Sequence, residues 1–140
     1  MPVVASTFRW TQEHSVNIAV LDQQHQALFD TVNELDRALR VGEGNSAMDS
    51  VLKRLVNYAE IHFASEESLM EQHEFPGLFA HRAEHAKFRQ KLGALLADYR
   101  TGTKPGVPVS LVLFLRGWLK EHVQMTDKRY SAFLNARGVR

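Results

Sequence analysis

The sequence predicts an all-α protein, an up-down-up-down antiparallel four-helix bundle with an extended N-terminal arm. Apolar residues recur three and four positions apart, which is the spacing of one helix face, and they do not alternate as in a strand. Three turn-rich stretches, at 41–46, 72–77 and 101–108, divide the chain into four segments of helical length. Connections this short favour antiparallel neighbours.

The elements follow from these breaks in chain order. Residues 1–18 form the arm, in which Phe8 and Trp10 are expected to pack along the outside of the bundle. The four helices are predicted at 19–41, 46–72, 76–100 and 108–135, so that residues 1–140 make a single domain. Pro76 and Pro108 suit the first turns of the third and fourth helices, because the first N–H groups of a helix have no internal partner.

The composition excludes several classes of protein. With 44% hydrophobic and 24% charged residues, the chain is typical of a globular protein. It contains no cysteine, which excludes disulfides and thiolate metal sites. The net charge of +1 gives no electrostatic reason to bind nucleic acid or an anionic membrane. The longest apolar run, Leu111 to Leu115, is too short to cross a bilayer, and no signal peptide is recognisable. We therefore expect a cytoplasmic monomer.

Polar residues interrupt the apolar stripes in every predicted helix. Burying an unpartnered polar group costs about 1–3 kcal/mol, and a single core histidine most often bonds to a backbone carbonyl. Five histidines contributed by all four helices indicate instead a common ligand, which is most directly a metal. His14 and His73 lie outside the stripes and are expected to face solvent. The stripe residues are His25, His62, Glu66, His81, His85 and His122.

The spacing of these residues supports a metal site. His62 and Glu66 are four apart, as are His81 and His85, so each pair lies on one helix face. Imidazole and carboxylate donors suit iron, zinc, copper, nickel or manganese. Five histidines are too many for one tetrahedral zinc, so two metals bridged by carboxylates are the more natural reading. The identity of the metal stays open at this point.

The motifs that contain these residues resemble the hemerythrin family, in its bacterial single-domain form. The resemblance covers essentially the whole chain, through Asp22-Gln23-Gln24-His25, His62-Phe63-Ala64-Ser65-Glu66, His81-Arg82-Ala83-Glu84-His85, and His122 followed by Asp127. It implies two non-haem iron ions with a bridging oxo or hydroxo group. His81, His85 and His122 would hold one iron and His25 and His62 the other, while Glu66 and Asp127 would bridge them. One position would then stay open for dioxygen, on the iron with two histidines.

Asp127 does not belong to the helical stripe of His122. It lies five residues later, which on a regular helix is about 140° around the axis. We therefore expect a π-type widening or a bent helix end between the two residues.

The resemblance implies reversible dioxygen binding for storage or delivery, with an unknown protein recipient. The proposed oxygen pocket is lined by Leu28, Phe63, Trp118, Leu119 and Val123. One alternative is an oxygen or redox sensor, which is expected to act through a separate partner because no output segment follows the fourth helix. Another is a diiron oxidase, a peroxidase or an enzyme that handles nitric oxide. Diiron oxygen-activating bundles are richer in carboxylates than this imidazole-rich site, which favours binding over oxidation.

Overall fold

The computed structural model describes residues 8–41 and 45–140, and its regular elements in this part of the chain are helical. A short 3₁₀ turn, Gln12–His14, precedes α1 (Ala19–Val41), α2 (Asn45–Gln72), α3 (Leu78–Thr101) and α4 (Val107–Glu121). A π turn, His122–Thr126, then leads into α5 (Lys128–Ala136). The start of the arm, residues 1–7, lies outside the described residues, as do the side chains of Asn45, Ser46 and Met125.

The four long helices form the antiparallel bundle that the sequence predicts. Each packs against the next in chain order, and α1 packs against α4 to close the ring. α1 and α2 are antiparallel. Gln24, near the start of α1, bonds to Ser65 near the end of α2, whereas Glu34, later in α1, pairs with Arg54, earlier in α2. The fold class inferred from periodicity and loop length is therefore confirmed.

Two apolar clusters divide the interior of the bundle along its length. The larger fills the space between α1, α2, α3 and α4, and includes Leu35, Leu55 and Leu111. The smaller closes the other end, where residues of the arm meet the beginning of α1, the end of α2 and α5. The buried histidines lie between the two clusters, as His25 does between Leu21 of the smaller cluster and Leu28 of the larger. They form a polar layer enclosed by apolar layers on both sides.

The last predicted helix, 108–135, is not continuous. The backbone N–H of Asp127 donates to the carbonyl of His122 at 2.8 Å, an i to i−5 bond that closes a π turn. This wider turn brings Asp127 back toward the face of His122, and both residues are buried. The widening expected from their five-residue separation is confirmed.

The described part of the arm packs against the helices and buries several of its apolar side chains. Val16 and Ile18 are buried, and Phe8 stacks on Phe29 with ring centroids 4.6 Å apart. Asp22 fixes the turn into α1, because its carboxylate accepts hydrogen bonds from the Ser15 hydroxyl and the Val16 N–H. Phe8 and the half-buried Trp10 pack against the larger cluster, whereas Val16 and Ile18 belong to the smaller cluster and help to close the end of the bundle.

His14 is buried, so the prediction that it faces solvent is wrong. Its Nδ1 accepts a hydrogen bond from the backbone N–H of Thr11 at 2.9 Å, and its ring lies 5.0 Å from that of Phe29. A local backbone donor thus satisfies the imidazole and allows it to pack. His73, also expected to face solvent, is half-buried in the turn after α2.

The four helix starts lie within two residues of the predicted ones. α3 begins at Leu78, after a tight turn in which Glu74 has a φ of 54°. Pro76 therefore precedes the helix, whereas Pro108 does occupy the first turn of α4. Among the described residues, no helix combines the length and apolar character needed to cross a membrane.

Phe29 joins the arm to the bundle, and its removal tests the importance of that contact. Phe29→Ala should lower the free energy of unfolding by about 3–5 kcal/mol, because it leaves a cavity beneath Phe8 and His14. Phe79, which is 86% exposed, provides the matched control. Phe79→Ala should change stability by less than about 0.5 kcal/mol in the same urea titration. Equal effects of the two substitutions would contradict this account of the arm.

Candidate metal centre

All the residues singled out from the stripes meet in one buried layer. α1 contributes His25, α2 contributes His62 and Glu66, and α3 contributes His81 and His85. His122 and Asp127 stand at the two ends of the π turn. Each of these side chains is at most 3% exposed. Their donor atoms fall into two overlapping groups, Glu66 with His81, His85 and His122, and Glu66 with His25, His62 and Asp127.

The carboxylate of Glu66 lies between the two histidine groups. Its Oε1 lies 3.0 Å from His85 Nε2 and 3.3 Å from His81 Nε2. Its Oε2 lies 3.2 Å from His62 Nε2 and 3.7 Å from His25 Nε2. One oxygen therefore faces the three-histidine group and the other faces the two-histidine group.

Asp127 repeats this arrangement from the opposite side of the layer. Its Oδ1 lies 2.8 Å from His122 Nε2 and 3.2 Å from His81 Nε2. Its Oδ2 lies 2.9 Å from His25 Nε2. Two carboxylates that each span both histidine groups have the arrangement of bridging ligands between two ions.

Several of these donor atoms lie close together without hydrogen bonding. Asp127 and His122 approach each other at 2.8 Å without hydrogen-bond geometry, so within the described residues neither oxygen of Asp127 nor the Nε2 of His122 has a hydrogen-bond partner. By contrast, the Nε2 atoms of His25 and His62 lie 2.9 Å apart and share a hydrogen bond. Unpartnered buried polar atoms cost about 1–3 kcal/mol each, a cost that a shared cation removes. Nitrogen and oxygen donors without sulfur fit iron, and the donor set also permits zinc or manganese.

The electrostatics of the layer also favour a cation. Burial disfavours the charged imidazole, yet the carboxylates of Asp127 and Glu66 raise the pKa of His25, His81 and His122 to about 9. Burial would raise the pKa of Glu66, but His62, His122 and His25 hold it well below its usual range. For His62 burial prevails and lowers the pKa. Protons on imidazoles thus balance the carboxylates, and a bound divalent ion would replace them.

Sequence comparison agrees with this geometry. The family model described as "Hemerythrin HHE cation binding domain" matches residues 16–134, which include every residue of the buried polar layer. The chain belongs to the hemerythrin family.

Individual relatives match nearly the whole chain. The Bacteriohemerythrin of Methylococcus capsulatus (strain ATCC 33009 / NCIMB 11132 / Bath) is 33% identical over 128 residues, covering 91% of this chain and 96% of the relative. That of Stenotrophomonas maltophilia (strain R551-3) is 32% identical and covers 87% and 78%. A crystal structure of wild-type hemerythrin is similar with a TM-score of 0.80 and 32% identity, covering 92% and 98%.

Three residues outside the predicted set hold this hemerythrin-family site in place. Gln24 Oε1 lies 2.8 Å from His62 Nδ1, and Glu67 Oε2 lies 2.7 Å from His85 Nδ1. The Tyr130 hydroxyl donates to Glu66 Oε2 at 2.5 Å. Such outer contacts orient the imidazoles and strengthen them as donors. Gln24 directly precedes His25, and Glu67 directly follows Glu66. Their positions next to predicted ligands are the feature of the sequence that could have indicated them.

The apolar residues proposed as an oxygen pocket are partly brought together. A cavity of about 20 Å³, enough for one small molecule, is lined by Leu28, Phe63, Trp118 and Leu119. Val123 is buried in the core but does not line this cavity. Phe63 and Trp118 also stack on His85 and His122, at 3.9 and 4.2 Å, so the cavity and the polar layer share two walls. The side chains that complete the lining are Val32, Leu55, Ala59, Phe88 and Leu115.

Glu67 should contribute to metal affinity through its contact with His85. Glu67→Ala should weaken binding of Co²⁺ by about 10- to 100-fold, because the imidazole loses the acceptor that orients it. Affinity is measured by competition with a chromophoric chelator. Glu60→Ala is the matched control. Glu60 pairs with Arg89 of α3, much as Glu67 pairs with Arg82. Unlike Glu67, Glu60 contacts no histidine of the polar layer. A comparable loss of affinity in both variants would refute a specific role for Glu67.

Proposed function

We propose that this protein binds dioxygen reversibly at a non-haem diiron centre, for oxygen storage or delivery. The supporting observation is that Glu66 and Asp127 each direct one oxygen to the three-histidine group and one toward the two-histidine group. The two carboxylates would bridge the irons together with an oxo or hydroxo group. A ferrous pair held there would supply the two electrons that dioxygen takes up on binding and returns on release.

The division of the histidines would set where dioxygen binds. His81, His85 and His122 would hold one iron, whereas His25 and His62 would hold the other. The second iron would receive one imidazole fewer from the chain. It is therefore the natural position for an exogenous ligand, because a metal that binds substrate needs an open position.

The apolar cavity supports dioxygen as that ligand. Leu28 lies three residues after His25, and Ala59 lies three residues before His62, so the lining begins one turn from both histidines of this group. Cavities lined by apolar side chains stay dry. A dry pocket admits a small apolar gas and keeps out the water that would promote irreversible oxidation.

The chemistry of the side chains separates this proposal from its alternatives. Five imidazoles and two carboxylates make a site richer in neutral donors than the carboxylate-rich bundles that activate oxygen. A sensor would use the same centre, but its ferrous and ferric forms would have to differ in shape and engage a separate partner. These roles differ in whether bound dioxygen is released intact.

An optical oxygen titration tests the function directly. The protein is loaded with iron anaerobically, reduced, and titrated with dissolved oxygen. A visible absorption band that rises with oxygen and disappears on degassing over repeated cycles is the expected result. Prompt and irreversible oxidation would overturn reversible binding and favour the sensor or enzyme.

Leu119 tests the role of the apolar cavity. Leu119→Ala should speed autoxidation of the oxygenated protein, because the enlarged cavity admits water close to the centre. Leu92→Ala is the matched control, since Leu92 is buried in the same core but does not line the cavity. Both variants should lose about 2–5 kcal/mol of stability. Equal autoxidation rates in Leu119→Ala and the unmodified protein would contradict the proposed role.

A further inference from the structure

A second cavity reaches the metal centre from another direction. It has a volume of about 80 Å³ and lies between α3 and the end of α4. Its lining combines the exposed Glu121 and the half-buried Glu84 with the buried His122. Trp118 and Thr126 complete the walls. This cavity therefore runs from two carboxylates at the surface to one histidine of the polar layer.

His122 closes the inner end of this cavity and separates it from the centre. Its Nε2 is directed to Asp127 Oδ1, at 2.8 Å, which leaves Nδ1 on the outer side of the ring. This Nδ1 is buried and has no hydrogen-bond partner among the described residues. In contrast, Gln24 and Glu67 occupy the Nδ1 atoms of His62 and His85. Turning the His122 ring would therefore break no hydrogen bond at Nδ1, and it would exchange the 2.8 Å contact with Asp127 and the stacking on Trp118.

The two carboxylates make the mouth of the cavity attractive to cations. Within the described residues, neither Glu84 nor Glu121 has a basic side chain within 4.0 Å, so no ion pair offsets their charge. Like charges that line a cleft focus the field and raise the local concentration of counter-ions. Each glutamate adjoins a proposed ligand in sequence, His85 and His122 respectively, so its position is tied to the centre.

Other openings are less suited to a cation. The groove over Glu67 and Glu71 is neutralised by Arg82, which contacts both carboxylates at 3.2 and 2.7 Å. The cavity beside the arm is lined by Arg9 and Lys120. The cavity beside Leu28 and Phe63 is apolar, and a hydrated ion entering it would lose its water without compensation.

We propose that Glu84 and Glu121 form an entry site for a divalent cation on its way to the metal centre. The glutamates hold the hydrated ion at the mouth, and the His122 ring turns to let it pass toward Asp127 and Glu66. This inference rests on the proposed function, because it requires that the buried polar layer binds metal. It concerns the rate of loading, whereas the final ligands determine affinity.

The rate of metal uptake tests the entry site. Metal-free protein is mixed with excess Co²⁺ in a stopped-flow instrument, and the visible absorption of the bound ion is followed. Glu84→Gln combined with Glu121→Gln should slow uptake about tenfold at low ionic strength, since steering by focused charge is lost. The difference should shrink as salt is added. The final stoichiometry of two Co²⁺ per chain should not change.

A second charge-matched variant separates local from overall electrostatics. Glu34→Gln combined with Asp98→Asn removes the same two charges, from surface ion pairs with Arg54 and Lys104. Those pairs contribute little to stability, and uptake by this control should stay close to that of the unmodified protein. Glu84→Lys combined with Glu121→Lys should slow uptake further and make it faster with added salt.

Each failure has a distinct meaning. Unchanged uptake in the Glu84 and Glu121 glutamine variant, or equal slowing in the control, would overturn the entry site and leave the diiron centre standing. An unmodified protein that retains its fold by circular dichroism but binds no Co²⁺ would overturn the metal centre and the entry site together.

Discussion

The rest of the structure depends on the burial of two carboxylates in an apolar bundle. Glu66 and Asp127 are 1% and 0% exposed, and isolated buried charges are too costly to persist in a folded protein. Five imidazoles surround them, and against the effect of burial the two carboxylates raise the pKa of three of these, His25, His81 and His122, to about 9. Tyr130 adds a hydrogen bond to Glu66. The layer is therefore stable only as a group, with positive charge at its centre.

This requirement explains the architecture around the layer. A site built on rigid helices can hold donor atoms from different segments in register, whereas mobile loops cannot. The larger apolar cluster supports the layer from one side, and the smaller cluster closes the other side. The arm belongs to that closure, since Val16 and Ile18 form part of the smaller cluster. Within residues 8–41 and 45–140, regular helix geometry gives way at the π turn, which sets the position of Asp127.

Two cavities of opposite chemistry adjoin the same centre. The one beside Leu28 and Phe63 is apolar and small, whereas the one beside His122 begins at two glutamates. Under our proposals, an apolar gas and a divalent cation would approach by separate routes. Such a separation is physically useful because a path polar enough for a hydrated ion would also bring water to the gas-binding position.

The sequence by itself determined the bundle, the six polar positions of its stripes and, with the family resemblance, the departure from helix geometry before Asp127. These features depend on local periodicity, because a side chain's place on its own helix follows from residue spacing alone. Tertiary structure decided the burial of His14 and the exclusion of Val123 from the apolar cavity. It also paired Gln24 with His62 and Glu67 with His85, across 38 and 18 residues of chain. Such contacts depend on the rotation and offset of one helix against another, which no single segment encodes.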